Sequence, residues 1–190
     1  MTAEDDREPA RARMVRSAAR MIRQRGVTGV GLRQIAADAD GPRGSLQRYF
    51  PGGKTQVLLE AVDLALNDFA AGTRAAATDA ATLPEAVAMI VDSWREVLLR
   101  SDFTSGCLLA AFVVDASAVD PLRAEADERF TRWRKAVALV YRRFGYDRVA
   151  AWDEALLVVS AIEGAALVSR AGRTTEPLDV VEKLLVDRLA

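Results

Sequence analysis

Residues Leu32 to Phe50 read LRQIAADADGPRGSLQRYF, and this stretch decides the fold of the chain. Its first half places four apolar residues at helical spacing, which predicts a short amphipathic helix buried along Leu32, Ile35, Ala36 and Ala39. Asp40 and Gly41 are expected to end that helix, because both residue types leave right-handed helical geometry at low cost. Pro42 then suits the first position of a second helix, where its missing N–H is not needed.

The second short helix is predicted to bury Leu46 and Phe50, which lie four residues apart. Two helices joined by a short turn that contains Gly describe a helix-turn-helix, whose second helix enters the DNA major groove. The candidate DNA contacts on its other faces are Arg43, Ser45, Gln47, Arg48 and Tyr49. Arg can bind guanine and Gln can bind adenine through paired hydrogen bonds, whereas the hydroxyls of Ser45 and Tyr49 are expected on phosphates, as is Lys54. The alternative interpretation is a solvated face on a short helix.

Several motifs in the same order resemble the TetR family of one-component repressors. They are a first helix from Pro9 to Gly26, Leu32-Arg33-Gln34-Ile35-Ala36, Gly44-Ser45-Leu46, Tyr49-Phe50-Pro51 and Lys54. Weaker matches resemble the LmrA/YxaF-like branch, at Ser105-Gly106-Cys107-Leu108-Leu109 and Ile162-Glu163-Gly164-Ala165. The resemblance implies a repressor that binds double-stranded operator DNA. It also implies a C-terminal domain for ligand binding and dimerisation. Gly44 is expected to permit close approach of the backbone to DNA or of helix to helix.

Three positions depart from the family pattern. The second helix begins after Val30-Gly31 where the family usually has Thr-Ser, so a phosphate contact there must come from backbone N–H groups or from Thr28. The turn reads Asp40-Gly41-Pro42 instead of Gly-Val-Ser. Gln47 stands where the family usually has Tyr, which predicts an altered base preference.

The charge of the chain is unevenly distributed, although its net charge is only −1. Residues 1–55 hold 11 Lys and Arg against 6 Asp and Glu, a net charge of +5, and residues 56–190 carry −6. Chance clustering is the alternative, but a basic head on an acidic body is typical of a DNA-reading domain with a separate regulatory domain. We therefore predict two domains, residues 1–55 for DNA binding and residues 56–190 for ligand binding and dimerisation.

Composition predicts an all-α fold of about nine helices. Apolar residues make up 51% of the chain, which suffices for a core, while Pro and Gly are too few for a β-rich or loop-dominated protein. The expected arrangement is a three-helix helix-turn-helix domain at the N-terminus, followed by a helical body.

The helix predicted from Asp147 to Arg170 is apolar around most of its circumference, so it must be buried on all sides. One domain of this size covers only one of its faces, and we expect a second copy of the chain on the other face. The candidate interface residues are Ala161, Glu163, Gly164, Ala165 and Val168. Glu163 needs a partner in such a run, and the candidates are Arg170 or an Arg of the other subunit. A two-fold dimer predicts a pseudo-palindromic site, with recognition helices about one DNA turn apart, ~34–36 Å or a multiple.

Aromatic residues of the body could line a cavity for a small apolar or aromatic effector. The aromatic candidates are Trp94, Phe103, Phe112, Trp133, Tyr141 and Trp152, and Cys107 is a candidate polar group. Asp115 and Ser160 could supply further polar groups. For each aromatic residue, ordinary core packing is the alternative, and Cys107 could be either a redox sensor or a small buried hydrophobic residue.

Other classes of protein fit less well. The chain has no His, one Cys, no Gly-rich phosphate loop and no metal-ligand spacing, so we expect neither an enzyme nor a metal or cofactor site. The acidic start, Met1 to Glu8, does not resemble a signal peptide, and the best apolar run, Ala155 to Val168, is short for a membrane span. The sequence therefore predicts a cytoplasmic, homodimeric repressor released from DNA by an apolar molecule. The alternative is a DNA-binding dimer without an effector.

Overall fold

The computed structural model describes residues 9–41, 46–116 and 120–189, excluding the side chains of residues 68, 69, 115, 116 and 120–122. Within those ranges the chain forms α-helices and no strand, which confirms the all-α prediction. There are nine of them: α1 (Ala10–Arg25), α2 (Leu32–Asp38), α3 (Leu46–Tyr49), α4 (Gly53–Asp79), α5 (Leu83–Arg100), α6 (Leu108–Ala116), α7 (Asp120–Arg143), α8 (Arg148–Gly172) and α9 (Glu176–Asp187).

The N-terminal head is built around α1, which packs against α2 and α4. Its buried face contains Met14, Ala18 and Ile22 at steps of four residues, as the sequence predicts. The Ser17 hydroxyl donates a hydrogen bond to Asp38 at 2.6 Å, and Arg20 forms an ion pair with the same carboxylate. These contacts fix the end of α2 against α1.

Glycine ends α1 as expected. Gly26 has a φ of 74°, in the left-handed region that glycine adopts without steric cost, and its N–H donates to Ile22 O at 2.9 Å. At the other end of the turn, the Gly31 N–H donates to the Gln34 side-chain oxygen at 3.0 Å. Gln34 therefore satisfies one of the free backbone donors at the start of α2, where the chain lacks a capping hydroxyl.

The longest helix, α4, joins the head to the body. It packs against α1 at the head and against α5, α6 and α7 in the body. An ion-pair cluster ties α4 to α7, because Arg129 donates to Asp63 at 2.8 Å and to Glu125 at 2.5 Å. Arg132 reaches the other oxygen of Asp63, also at 2.8 Å.

The body consists of α5 to α9, with α8 packed between α7, α9 and α5. Asp147 caps α8 by accepting the backbone N–H groups of Val149 and Ala150 at 2.7 and 2.9 Å. Gly172 is the last residue of this helix, and Arg173 follows it in the left-handed region with a φ of 53°.

One contiguous hydrophobic cluster extends from the head into the body, from Met14 on α1 to Leu185 on α9. Because α4 begins at Gly53 and continues into the body, no break in the core marks the domain boundary predicted at residue 55. That boundary stays a prediction.

Candidate functional site

The exposed end of the head is formed by α3 and the start of α4. Phe50 is buried and Leu46 half-buried, so both side chains anchor α3 on the head. Gln47 and Arg48 are exposed and Tyr49 is half-buried. Leu46 and Phe50 therefore face inward and Gln47 and Arg48 face outward, as predicted, whereas Tyr49 packs partly against the core.

Arg48 and Tyr49 contact each other on this surface. The Arg48 guanidinium donates to the Tyr49 hydroxyl at 3.3 Å and lies 5.1 Å from the centre of the Tyr49 ring. Gln47 stands beside them with an exposed amide, which offers both a donor and an acceptor. The pair of side chains can thus form the two-hydrogen-bond contacts that base edges accept.

Arg11 of α1 contacts both α3 and α4 and holds α3 in place. Its guanidinium donates to Tyr49 O at 3.4 Å, lies 5.1 Å from the centre of the Phe50 ring and pairs with Glu60 of α4 at 2.6 Å. One side chain therefore fixes α3 relative to both α1 and α4.

The remaining predicted DNA contacts lie on either side of α3. Thr28 is exposed in the turn before α2, and Lys54 is half-buried at the second residue of α4. The Gly52 N–H, which precedes α4, donates to Gln56 at 2.9 Å. Arg43, Gly44 and Ser45 lie outside the described residues.

Most of the aromatic residues predicted to line an effector cavity are packed in the core of the body. Trp94, Phe112 and Tyr141 are at most 1% exposed. Trp133 stacks on Trp94 with their ring centres 5.5 Å apart. Close packing of this kind is the alternative that the sequence left open, and the assignment of these residues to a cavity stays a prediction.

Trp152 and Phe103 occupy the periphery. Arg134 lies 4.0 Å above the Trp152 ring and donates to the Trp152 carbonyl at 2.9 Å. Trp152 lines a groove of about 430 Å³ between α7 and α8, together with Leu139 and Val149. Phe103 is half-buried in the left-handed turn that ends α5, with a φ of 58°.

A second groove follows the same α7–α8 crevice and has a volume of about 320 Å³. Its apolar wall is formed by Phe130, Leu156 and Val159, and Ser160 also lines it. Two carboxylates, Asp127 and Glu163, lie along it with Arg134. Sequence reasoning missed Phe130 and Asp127, although the buried stripe of α7 includes position 130.

Glu163 lies between this groove and Cys107. Burial raises the pKa of Glu163 to about 7, while a hydrogen bond from the Cys107 thiol lowers it. Burial and the adjacent Glu163 carboxylate raise the pKa of Cys107 well above its ordinary range. A reactive cysteine needs the opposite shift, so this environment favours the interpretation of Cys107 as a small buried residue over a redox sensor.

Arg170, one of the two partners expected for Glu163, contacts another group. Its guanidinium donates to the Thr104 carbonyl at 2.9 Å and lies against Gly106. The Oε1 oxygen of Glu163 has less than 1 Å² of accessible surface and no hydrogen-bond partner in the described part of the chain.

The outer surface of α8 and α9 carries a large apolar area. Of the ten large exposed hydrophobic residues in the described ranges, seven lie on these two helices. We call this area the α8–α9 face, and it consists of Val149, Leu156, Leu157, Leu167, Val168, Val180 and Leu184.

The predicted interface residues on α8 differ in exposure. Gly164 and Val168 are exposed, and a side chain added at Gly164 would meet open space. Ala161 and Glu163 are half-buried, whereas Ala165 is buried within its own protomer. Helix α8 is also long and apolar enough to cross a membrane by length and composition, with 39% of its most apolar window buried. It is thus longer than the apolar run from Ala155 to Val168.

Comparisons with known proteins cover nearly the whole chain. Residues 15–61 match the family model of bacterial regulatory proteins of the tetR family. Residues 84–184 match the model of the C-terminal domain of LmrA/YxaF-like transcriptional regulators.

Relatives and solved structures agree with these matches. An uncharacterized HTH-type transcriptional regulator of Mycobacterium tuberculosis is 37% identical over 181 residues, covering 92% of this chain and 91% of that protein. The HTH-type transcriptional regulator LmrA of Bacillus subtilis is 26% identical over 182 residues, covering 95% and 96%. A regulatory protein TetR from Rhodobacter sphaeroides shares the fold with a TM-score of 0.84 at 21% identity, covering 95% of this chain and 99% of that one.

Proposed function

The chain belongs to the TetR family of bacterial transcriptional regulators, in its LmrA/YxaF-like branch, and from this we propose that it is a homodimeric repressor released from its operator by a small apolar molecule. Members of the family are regulators and not enzymes. DNA binding and transcriptional regulation come with the family. The repressor role, the dimer and the effector are the proposal.

The observation that carries the proposal is the exposed pair Gln47 and Arg48 on an anchored α3. Phe50 and Arg11 hold this helix on the head, so the two side chains project from a rigid support. In a helix-turn-helix these are the positions that read base edges, while Thr28, Tyr49 and Lys54 are placed for phosphates. Arg43, Gly44 and Ser45 complete the proposed contact set.

The dimer is proposed through the α8–α9 face. Apolar area of this extent on a soluble chain marks a protein or membrane contact. The open space over Gly164 lets the backbone of a second copy approach α8 closely. A four-helix interface made of α8 and α9 from each copy would cover the face, with Ala161 and Val168 inside it.

Induction is proposed to act through α4. This helix starts beside α3 and is tied to α7 by Asp63 and Arg129, so a change in the body can alter the position of the head. A coupling free energy of ~1–3 kcal/mol changes operator affinity about 5–150-fold, which is sufficient for regulation.

A second candidate function is a DNA-binding dimer without an effector. The close packing of Trp94, Phe112 and Tyr141 favours it, because these side chains fill the interior of the body and line neither of the two grooves described above. Thermal unfolding in the presence of apolar small molecules separates the two candidates, because a ligand that binds the folded state raises the melting temperature.

Fluorescence anisotropy tests the proposal with the purified protein on duplex DNA from upstream of its own gene, at several salt concentrations. We expect binding that prefers one pseudo-palindrome and weakens as salt rises, because phosphate contacts release counterions. Failure to bind any duplex at low salt would contradict the DNA-binding part of the proposal.

A further inference from the structure

The groove beside Phe130 combines an apolar wall with carboxylates. Phe130, Leu156 and Val159 supply the wall, and Asp127 and Glu163 supply the acids. Its volume of about 320 Å³ lies at the lower end of the range for small-molecule sites, ~300–1,000 Å³. A molecule with one ring and a short chain fits this space.

Glu163 has one carboxylate oxygen that lacks a partner there. Its Oε1 oxygen is almost completely shielded and accepts no hydrogen bond from the described residues. The neighbour on its other side is the Cys107 thiol, which is a weak donor. A buried carboxylate oxygen without a donor is costly, so a donor from outside this chain would stabilise it.

The nearby cations are occupied by other groups. Arg134 donates to the Trp152 carbonyl, stacks on the Trp152 ring and lies 3.7 Å from Asp153. Arg170 donates to Thr104. Asp127 is exposed and forms no ion pair with the residues described around it. Above pH 7, where Glu163 ionises, the groove therefore presents two carboxylates next to an aromatic ring, a combination that attracts organic cations.

We propose that this groove binds the effector, and that the effector is an organic cation whose ammonium group donates to Glu163 while its apolar body packs on Phe130. The inference rests on the proposed function and names the chemical class of the ligand. Leu156, on the apolar rim of the groove, also belongs to the α8–α9 face. A ligand at this place lies next to the proposed dimer interface and can alter the angle between the two copies.

Binding of three matched probes tests the proposal: 4-phenylbutylamine, 4-phenylbutanol and 4-phenylbutyrate, which share one apolar body and differ in head group. Isothermal titration at pH 8 with the full chain should give the amine at least tenfold tighter binding than the alcohol, with the acid weakest. Glu163→Gln keeps the shape of the side chain and should abolish the preference. Asp127→Asn should reduce it by a smaller factor. Glu96→Gln, at an exposed carboxylate on α5 that does not line the groove, is the control and should leave it unchanged.

The pH dependence gives a second readout. The buried Glu163 carboxyl ionises near pH 7, whereas the amine is protonated throughout, so affinity for the amine should rise between pH 5.5 and 8. The groups that face Glu163 are Cys107 from the start of α6, and Asp127 and Arg134 from α7. The rise should be absent in Glu163→Gln.

Three results would overturn the inference. They are equal or tighter binding of the alcohol or the acid, unchanged amine binding by Glu163→Gln, and no binding of the amine. A fourth contradicting result would come from sedimentation velocity. If Glu163→Gln dissociated a dimer, the missing hydrogen-bond donor would come from the partner copy and not from a ligand. Operator binding is measured without any probe, so its outcome is independent of these results and tests the proposed function separately.

Discussion

Gln47 and Arg48 are the two side chains on which the proposed sequence preference depends. In the free protein Arg48 rests on Tyr49, so it must leave that ring to reach a base edge. Gln47 departs from the Tyr of the family pattern described in the sequence analysis, and an amide selects bases differently from a phenol. The expected operator is therefore particular to this chain.

Gln47→Ala and Arg48→Ala should each weaken operator binding by about 1–3 kcal/mol, or roughly 5- to 150-fold, while binding to random DNA changes less. Anisotropy titrations on operator and random duplexes measure both quantities. Arg100→Ala, which removes an exposed Arg from α5, is the matched control. Equal losses on operator and random DNA would show that the two residues contact phosphates instead of bases.

The buried Glu163 carboxyl should make the free energy of unfolding depend on pH. Burial holds the carboxyl neutral up to about pH 7, above its ordinary pKa of 4.5, so the folded state binds the proton more tightly than the unfolded state. The stabilisation that the neutral Glu163 carboxyl contributes should therefore be present in full below pH 4.5. It should be lost as the pH rises through 7.

Glu163→Gln should remove this loss and raise the free energy of unfolding at pH 8, on the order of 1–3 kcal/mol. Urea unfolding at pH 5 and pH 8 measures it, with Glu96→Gln as the exposed control. A variant less stable than wild type at pH 8 would indicate that the carboxylate is paired in the folded protein.

At the scale of elements, the contact between α4 and α7 links the head to the body. Arg129 is buried, with 8% of its side chain exposed, and Asp63 and Glu125 are its partners. Burying this guanidinium is favourable only while its carboxylates are present, because an unpaired buried charge is costly. The pair therefore fixes the register of α4 on α7 more than it adds stability.

Asp63→Ala should lower the free energy of unfolding by about 1.5–3 kcal/mol, because Arg129 keeps one carboxylate and loses the other. The double change Asp63→Leu with Arg129→Met should recover most of that loss, because it removes both charges. Chemical denaturation of the three proteins checks the pattern. A double variant as unstable as the single one would mean that the ion pair itself contributes the stability.

How far the sequence predicts these elements depends on whether the signal is local. The end of α1 at Gly26 and the outward orientation of Gln47 and Arg48 on α3 follow from local residue chemistry and spacing, and the structure agrees with them. The partner of Arg129 could not be predicted, because Asp63 lies 66 residues away and periodicity does not pair helices. The contact of Arg173 with Asp102 could not be predicted for the same reason, because the two residues lie 71 positions apart.

For the same reason, the sequence predicted the exposed residues of α3 but not the groove between α7 and α8. Gln47 and Arg48 belong to a short motif whose geometry is local, so their exposure could be inferred from two anchoring residues. The groove beside Phe130 lies between α7 and α8 and is lined by Glu163, while Arg170, an expected partner of Glu163, contacts Thr104. Such a choice between two partners depends on the packed structure and leaves no periodic signal.

In the whole molecule, recognition of a specific operator requires two copies of the chain. A single protomer leaves the α8–α9 face exposed and has one recognition helix, which reads too few base pairs for a specific site. We expect association through α8 and α9 to cover the apolar face and to present two α3 helices to the same DNA duplex.

Leu167→Glu combined with Leu184→Glu should convert the dimer to monomer, because it places charges in the centre of an apolar interface. Sedimentation velocity at micromolar concentration measures the change. Leu99→Glu, an equally exposed Leu on α5, should leave the dimer intact. A double variant that still sediments as a dimer would exclude the α8–α9 face as the interface.

Selection of binding sites from a library of random duplexes by the purified wild-type protein tests whether the chain is a dimeric repressor that reads an operator. We expect the enriched sequences to form an inverted repeat whose half-sites lie about one helical turn apart, ~10 bp, or a multiple of it, bound by one or more dimers. Enrichment of a single half-site without a repeat, or no enrichment at low salt, would contradict a dimeric operator-reading repressor.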